Sequence, residues 1–364
     1  MRRLRFMIQK EMLSLLKDPR LRFIIVMGAL IQGFLFGYAA NYNLERVPYA
    51  ILDLSHSQSS TELLKHINHT SIFTPKAVMH NVNELNDLIN SETVILGIVI
   101  PEDFENKLTA GGVASVQVII DGRNASTAGM AAGYVNQIIN SWHLEKSKLQ
   151  LPVTVESRTW YNPNQISRWN FIPSLIGMIP FVQIMILSGM SIAKEREQGT
   201  FDQLLVTPLS QIEILIGKAI PPMIVGLIQS AILFCICWLW FDIPFAGSFG
   251  TILLVLIVFA LSATGIGLII SSIANNMQQV LVYILVTLLP LVLLSGIATP
   301  INNMPEILQI VTTASPLRYA VDSIRRIYLE GATFTEISGN MIPMLIVASI
   351  TLPIAAWLFR NKAQ

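Results

Sequence analysis

The residues that could do chemistry are concentrated in one segment, 194–210, with the sequence KEREQGTFDQLLVTPLS. Lys194, Glu195, Arg196 and Glu197 stand there between two long apolar runs, although only 13% of the 364 residues are charged. Acids and bases that alternate in this way make ion pairs and charge-assisted hydrogen bonds, which orient a segment or bind a partner. The segment is therefore expected to serve recognition, and a solvated loop is the alternative.

Catalytic and metal-binding motifs are missing from the sequence. No histidine lies in an apolar run, and neither G-x-S-x-G nor H-E-x-x-H occurs. His66 and His69 could share a helix face, but no Cys or carboxylate pattern accompanies them, so no metal site is expected. The phosphate-binding motif G-x-x-x-x-G-K-[ST] is also absent. We expect no catalytic residue and no bound cofactor in this chain, which argues against an integral membrane enzyme.

Long stretches without Asp, Glu, Lys or Arg place the chain among membrane proteins. A helix needs about 20 apolar residues to cross a hydrocarbon core about 30 Å thick. The first stretch follows a charged arm and is longer than the apolar core of a signal peptide, so a retained span is expected. Six transmembrane helices are predicted, at residues 23–41, 169–193, 219–241, 250–273, 279–298 and 340–359.

Basic residues near the spans predict the orientation, because cytoplasmic segments are enriched in Lys and Arg. The N-terminal arm carries seven of them, and Arg360 and Lys362 follow the last span, so both termini are expected in the cytoplasm. Arg318, Arg325 and Arg326 lie in a segment that is predicted to be external, but the seven basic residues of the arm outweigh these three in setting the orientation. The predicted cytoplasmic parts are 1–22, 194–218 and 360–364, and the predicted external parts are 42–168 and 299–338.

The N-terminal arm has apolar residues at helical spacing with basic residues between them. This pattern predicts an amphipathic helix that lies in the inner membrane interface and ends at Pro19. A solvated charged tail is the alternative.

The block at 42–168 has the pattern of a folded α/β domain. Strands are expected in VPYAILDLS, TVILGIVIP, ASVQVIIDG and PVTVESRTWYN, and helical stretches lie between them. The helix in SQSSTELLKHIN begins with residue types that cap helices. The expected fold is therefore an α-helical integral membrane protein of six transmembrane helices with an inserted extracytoplasmic α/β domain.

The charged segment has a predicted local structure of its own. AKEREQGT continues the second span as a helix, and Gly199 permits a break. TFDQLLVTP predicts a short amphipathic helix that Thr200 caps, that places Phe201 and Leu204 on one face, and that Pro208 ends. A short surface helix between two hinges is suited to docking a soluble partner, and force on it would pass into two spans.

These residues resemble the coupling segment of permease subunits of the ABC-2 transporter family. The matching positions are Glu195, Arg196, Glu197, Gly199, Thr200, Leu204, Thr207, Pro208, Gly217 and Lys218. Residues 293–331 resemble the re-entrant external hairpin and amphipathic helix of the same family. Six spans with a large external domain between the first two resemble the bacterial drug or cation efflux permeases. The resemblance covers essentially the whole chain.

The resemblance implies the permease subunit of an ATP-driven exporter in a bacterial inner membrane. ATP and Mg²⁺ would be bound by a separate ATP-binding subunit, which would dock on 194–210 and contact Phe201 there. A second permease copy or a paralogue would complete the transporter. The cargo would be a drug-like molecule, a lipidic compound or a cation, and a periplasmic adaptor is left open. The net charge of +1 argues against a nucleic-acid partner.

In the ABC-2 family the substrate passes along the permease dimer interface, mainly between the second and fifth spans. Polar residues inside spans are costly and face the protein interior, so they are candidates for this path. The candidates are Gln183, Ser188, Tyr283, Thr287 and Ser295, with helix packing as the alternative for each. A different function also stays open: a partner-dependent membrane sensor, or a lipoprotein or lipid-extraction subunit that uses the external domain.

Overall fold

The computed structural model describes most of the chain as two units. The described residues are 2–39, 46–70, 72–123, 125–147, 161, 167–201, 203, 206–207, 209–297 and 299–362. One unit comprises Met1–Asn41 and Thr159–Gln364, and the other comprises Tyr42–Arg158. The first unit begins with helix α1 (Arg2–Lys17) and helix α2 (Pro19–Ala39). The predicted break at Pro19 is confirmed, because α2 starts at that residue, where a missing N–H costs nothing.

The second unit is a four-stranded sheet with helices. Its elements in chain order are β1 (Val47–Asp53), α3 (Gln58–His69), β2 (Phe73–Val78), α4 (Glu84–Asn90), β3 (Leu96–Ile100), α5 (Phe104–Thr109), β4 (Gln117–Ile120) and α6 (Ala125–Ser147). The strand order is β2-β1-β3-β4. Strand β1 is parallel to both β2 and β3, and β4 is antiparallel to β3. The predicted α/β class of this block is confirmed.

Strand formation and burial agree closely in this unit. All five residues of β3 are buried, as expected for a parallel strand covered on both faces. Tyr49, Leu63 and Ile98 are fully buried in its core. Ser57 and Ser60 form a reciprocal capping box at the start of α3, so the predicted cap is confirmed. The predicted strand at 152–162 lies outside the described residues, apart from Tyr161.

The first unit continues as a bundle of long apolar helices. They are α7 (Ser167–Glu197), α8 (Gln211–Cys235, extended by a π-helical turn Ile236–Trp240), α9 (Phe249–Ile273), α10 (Met277–Leu293) and α13 (Phe334–Lys362). Two shorter helices, α11 (Glu306–Thr312) and α12 (Pro316–Arg325), lie between α10 and α13, and a π-helical turn at Arg326–Glu330 follows α12. Helix α7 contacts α2, α8, α9, α10 and α12, so it occupies the centre of the bundle.

Five helices within the described residues are long and apolar enough to cross a membrane. These stretches are Arg22–Ala39, Arg168–Glu197, Gln211–Trp240, Phe249–Ile273 and Phe334–Asn361. The fifth predicted span, 279–298, coincides with α10, an apolar helix of 17 residues that turns at 294–297. The chain is thus a helical membrane protein with an inserted α/β domain, while the count of six spans stays a prediction.

Glycines on α9 allow its neighbours to approach closely. A Cβ added at Gly267 would lie 3.1 Å from the Met185 carbonyl oxygen of α7 and in steric overlap with the Ser188 hydroxyl. A Cβ at Gly265 would overlap Thr351 of α13 in the same way. Small residues in this helix thus serve close packing against α7 and α13.

Gly267→Ala is expected to lower the thermal unfolding midpoint of the detergent-solubilised protein, because the new methyl group overpacks the α7–α9 contact. Overpacking of this kind costs about 1–3 kcal/mol. Adding Ser188→Gly removes the overlapping hydroxyl and should recover part of the loss. Gly250→Ala is the matched control in the same helix, since its Cβ would meet Ser248 only at 3.7 Å. Equal midpoints for Gly267→Ala and Gly250→Ala would contradict this account.

Candidate functional site

The charged segment begins where α7 ends, and the backbone there forms a complete C-terminal cap. The Gly199 N–H donates to the Arg196 carbonyl at 3.1 Å, and the Thr200 N–H donates to the Glu195 carbonyl at 2.9 Å. This pair of bonds is the Schellman motif, which requires a left-handed residue after the helix. Gly199 has φ +68° and supplies it. The predicted break at Gly199 is therefore present in the structure.

Glu195 holds a buried ammonium group in an ion-pair cluster. The Lys218 side chain on α8 is fully buried, and its Nζ lies 3.0 Å from Glu195 Oε2 and 3.6 Å from Glu11 Oε1. The same nitrogen donates to the Ser191 carbonyl at 2.9 Å. Lys10 on α1 lies 3.2 Å from Glu11 and 3.3 Å from Glu195. The two ammonium groups and the two carboxylates balance in charge, and their contacts join α1, α7 and α8.

Lys10 lies at the exposed edge of this cluster, and its side chain is 59% exposed. Partial burial on its own would lower the pKa of Lys10, but the Glu11 and Glu195 carboxylates outweigh it, so the pKa is raised. The ammonium therefore stays charged at neutral pH, as the cluster requires.

Arg196 binds the C-terminal end of α9. Its Nη1 donates to the carbonyl oxygens of Ser272 at 3.0 Å and Ala274 at 3.1 Å. These carbonyls belong to the last turn of a helix, which lacks intrahelical donors and carries partial negative charge. The Arg196 guanidinium also lies 4.9 Å from the centroid of the Phe201 ring.

Glu197 binds the N-terminal end of α10. Its Oε2 accepts a 2.8 Å hydrogen bond from the backbone N–H of Met277, the first residue of that helix. An N-terminal N–H lacks an intrahelical partner and favours a negative charge beside it. The sequence Glu-Arg-Glu thus matches each charge to a different neighbour: a buried ammonium, a helix C-terminus and a helix N-terminus.

Residues after Gly199 divide into a buried anchor and an exposed stretch. Phe201 is 8% exposed and its ring contacts Phe359 of α13, with centroids 5.6 Å apart. Gln203 and Thr207 are exposed, and Val206 is 86% exposed. The Thr200 hydroxyl donates back to the Glu195 carbonyl at 3.3 Å. The predicted positions Leu204 and Pro208 lie outside the described residues.

The candidate path residues fall in two kinds of surroundings. Ser188 and Ser295 are buried, and their hydroxyls donate to the carbonyls of Ile184 and Val292 at 2.6 Å each. Gln183 and Thr287 are partly exposed, and Tyr283 is 40% exposed. Gln183 and Ser188 lie on α7, Tyr283 and Thr287 lie on α10, and Ser295 lies just after α10.

Sequence reasoning missed the partners of the charged segment. The sequence identifies Lys218 only as a motif position and Lys10 only as one of the seven basic residues of the arm, and it does not single out Glu11 or the Met277 N–H. A signal for Lys218 existed, because a lysine at the edge of an otherwise uncharged helix needs a counter-charge nearby. Glu11 offered no such signal, since α1 is rich in charge throughout.

Glu195→Gln is expected to lower the thermal unfolding midpoint, because it removes the nearer counter-charge of a fully buried ammonium. Breaking a buried pair on one side costs about 3 kcal/mol or more. The double variant Glu195→Gln/Lys218→Met should recover most of that loss, since no buried charge remains. Lys10→Gln in the same cluster is the control and should have a small effect because Lys10 is exposed. A double variant no more stable than Glu195→Gln alone would refute the assignment.

Known proteins resemble the chain over its whole length. A family model described as ABC-2 family transporter protein matches residues 20–357. In Escherichia coli (strain K12), the probable multidrug ABC transporter permease YbhR is 37% identical over 100% of this chain and 99% of its own. The probable multidrug ABC transporter permease YbhS is 29% identical over 98% of this chain and 93% of its own. The inner membrane transport permease YhhJ is 27% identical over 97% and 95%.

The family match over residues 20–357 and the full-length relative that is 37% identical lead to one family. Permeases of ABC transporters have no ATPase activity of their own and depend on an ATP-binding partner, in agreement with the absence of a phosphate-binding motif here. The chain belongs to the ABC-2 transporter family and is a multi-pass membrane permease subunit.

Proposed function

We propose that this permease exports a small molecule from the cytoplasm or the inner membrane, driven by a separate subunit that binds and hydrolyses ATP. The names of YbhR and YbhS support a multidrug cargo, and the name of YhhJ supports an inner-membrane location. A lipidic compound and a cation are the other cargo classes within the proposal. The seven basic residues of the N-terminal arm support cytoplasmic termini and an external α/β domain.

The observation that carries the coupling proposal is the set of contacts made by Glu195, Arg196 and Glu197. Through them the end of α7 is joined to α1, α8, α9 and α10 at once. A push on residues 200–210 is therefore delivered to several helices of the bundle, as an ATP-driven permease needs. The docking surface in this proposal is the exposed stretch with Gln203, Val206 and Thr207.

The translocation path in this proposal follows α7 and α10 at an interface with a second permease copy or a paralogue. Gln183, Tyr283 and Thr287 are accessible enough to face a substrate. Ser188 and Ser295 are buried within the chain, so their role is to support the wall. Helix α10 packs on α7 through Ile284, which lies against Gly189, and it exposes Leu285 and Val286 for a partner.

Val206→Glu is expected to reduce co-purification of the ATP-binding subunit about ten-fold or more, because it places a charge in the apolar part of the docking surface. Burying an unpaired charge in an apolar interface costs more than the roughly 1.4 kcal/mol that corresponds to a ten-fold change in binding. Val113→Glu is the matched control: Val113 is 90% exposed and belongs to the second unit. Equal co-purification of both variants, in membranes with equal permease content, would place the docking surface elsewhere.

Gly199→Pro is expected to abolish ATP-driven transport while membrane insertion and abundance are retained. Proline cannot adopt φ +68°, and it removes the N–H that closes the cap of α7. Gly111→Pro is the matched control, since Gly111 has φ +69° and its N–H donates to Leu108. Transport is measured as cargo accumulation in inverted vesicles with the ATP-binding subunit present. Normal transport by a stable Gly199→Pro protein contradicts the coupling role.

A further inference from the structure

A cavity of about 1050 Å³ lies beside the ion-pair cluster, between α1, the end of α7 and the start of α8. Its volume is at the upper end of the range of about 300–1,000 Å³ that is usual for small-molecule sites. Its wall includes Gln203 and Thr207 of the proposed docking surface, but the proposed coupling and transport functions assign no ligand to the cavity.

The charges around the cavity leave a positive group available. Lys10, Lys218, Glu11 and Glu195 all line it and neutralise one another, and Arg3 and Asp18 add one charge of each sign to the lining. Lys194 also lines it and is partly buried, yet its ammonium contacts no carboxylate in the part of the chain that the structure describes. This ammonium would repel a cation in the cavity, whereas it would stabilise an anion there.

Donors and apolar groups complete the lining. The Ser14 hydroxyl and the Gln198 amide belong to it and can donate hydrogen bonds to an anion. One part of the wall is hydrophobic and includes Leu15 from α1, Met190 from α7 and Pro221 from α8. Such a lining, charged at one place and apolar at another, suits a molecule with an acidic head and a hydrocarbon body.

We propose that this cavity is a binding site for an anionic amphiphile. The phosphate or carboxylate head binds beside Lys194, and the hydrocarbon part lies along Leu15, Met190 and Pro221. The site lies between α1, the end of α7 and the start of α8. A molecule bound there would therefore stabilise the packing of α1 on these two helices. Binding is a property of the permease chain and does not depend on the proposed transport function.

The test is photo-labelling of the full-length permease in nanodiscs. Phosphatidylglycerol with a photoreactive acyl chain is compared with phosphatidylcholine that carries the same chain, and labelled peptides are identified by mass spectrometry. We expect phosphatidylglycerol to label the peptides of α1 and α7 around Leu15 and Met190 in clear preference to phosphatidylcholine. Equal labelling of these peptides by the two lipids excludes an acidic phospholipid as the occupant, and it overturns the proposal unless a free fatty acid gives Lys194-dependent labelling in the second arm below.

Variants assign the labelling to Lys194. Lys194→Gln should reduce it about ten-fold, the change expected when one charge-assisted contact of about 1.5 kcal/mol is lost. Lys194→Arg should preserve it, and Lys17→Gln, at an exposed basic residue of α1, is the matched control. Met190→Trp, which fills the apolar wall, gives a second reading if Lys194→Gln does not fold. Undiminished labelling in Lys194→Gln, or in Met190→Trp in its place, overturns the proposal.

A second arm distinguishes a membrane lipid from a free amphiphile. A photoreactive fatty acid is added to nanodiscs of phosphatidylcholine alone, with and without phosphatidylglycerol as competitor. Labelling that depends on Lys194 and resists phosphatidylglycerol identifies a free carboxylate amphiphile as the occupant. Labelling that phosphatidylglycerol abolishes identifies an acidic phospholipid. Either result supports an anionic amphiphile site, and no Lys194-dependent labelling by either probe overturns it.

Discussion

The buried ammonium of Lys218 is the constraint on which the rest of the charged segment depends. An ammonium removed from water needs a nearby negative charge, because its desolvation is costly. Glu195 supplies that charge from the last turn of α7, and Glu11 supplies a second one from α1. The positions of α1, α7 and α8 are therefore fixed together at one end of the bundle, where Ser191 adds its carbonyl oxygen to the same nitrogen.

The neighbouring charges extend this arrangement to two more helices. Arg196 meets the carbonyls at the end of α9, and Glu197 meets the first N–H of α10. Each side chain satisfies backbone groups that would otherwise lack partners, so the contacts are specific in sign as well as in place. Further from the charged segment, Gly267 of α9 lets α9 and α7 approach each other closely. Since packed interiors transmit displacement instead of absorbing it, a movement at the end of α7 reaches its neighbours.

The sequence predicted elements well where one physical signal was sufficient. Runs without charged residues located the apolar helices, and Ser57 marked the start of α3 because capping is a local effect. Strand β2 was missed, since Pro75 and Lys76 interrupt its apolar pattern and its pairing with β1 comes from the sheet. The Lys218–Glu195 pair was missed for a related reason. It joins two helices through space, and residue spacing along the chain carries no information about such contacts.

Residues that fix the charged segment to the bundle are buried, so they cannot also form a docking surface. The two roles therefore belong to different parts of the segment. Phe201 is buried against Phe359, and the side chains of Glu195 and Arg196 point to partners inside the chain. In the described part of the charged segment, the following stretch has exposed apolar surface, with Val206 86% exposed, and this is where we propose that the partner docks. The motif that resembles the ABC-2 coupling segment therefore serves the interior of the permease in its first half. A partner that pushes on the second half acts on a segment already fixed to the bundle, which makes the push effective.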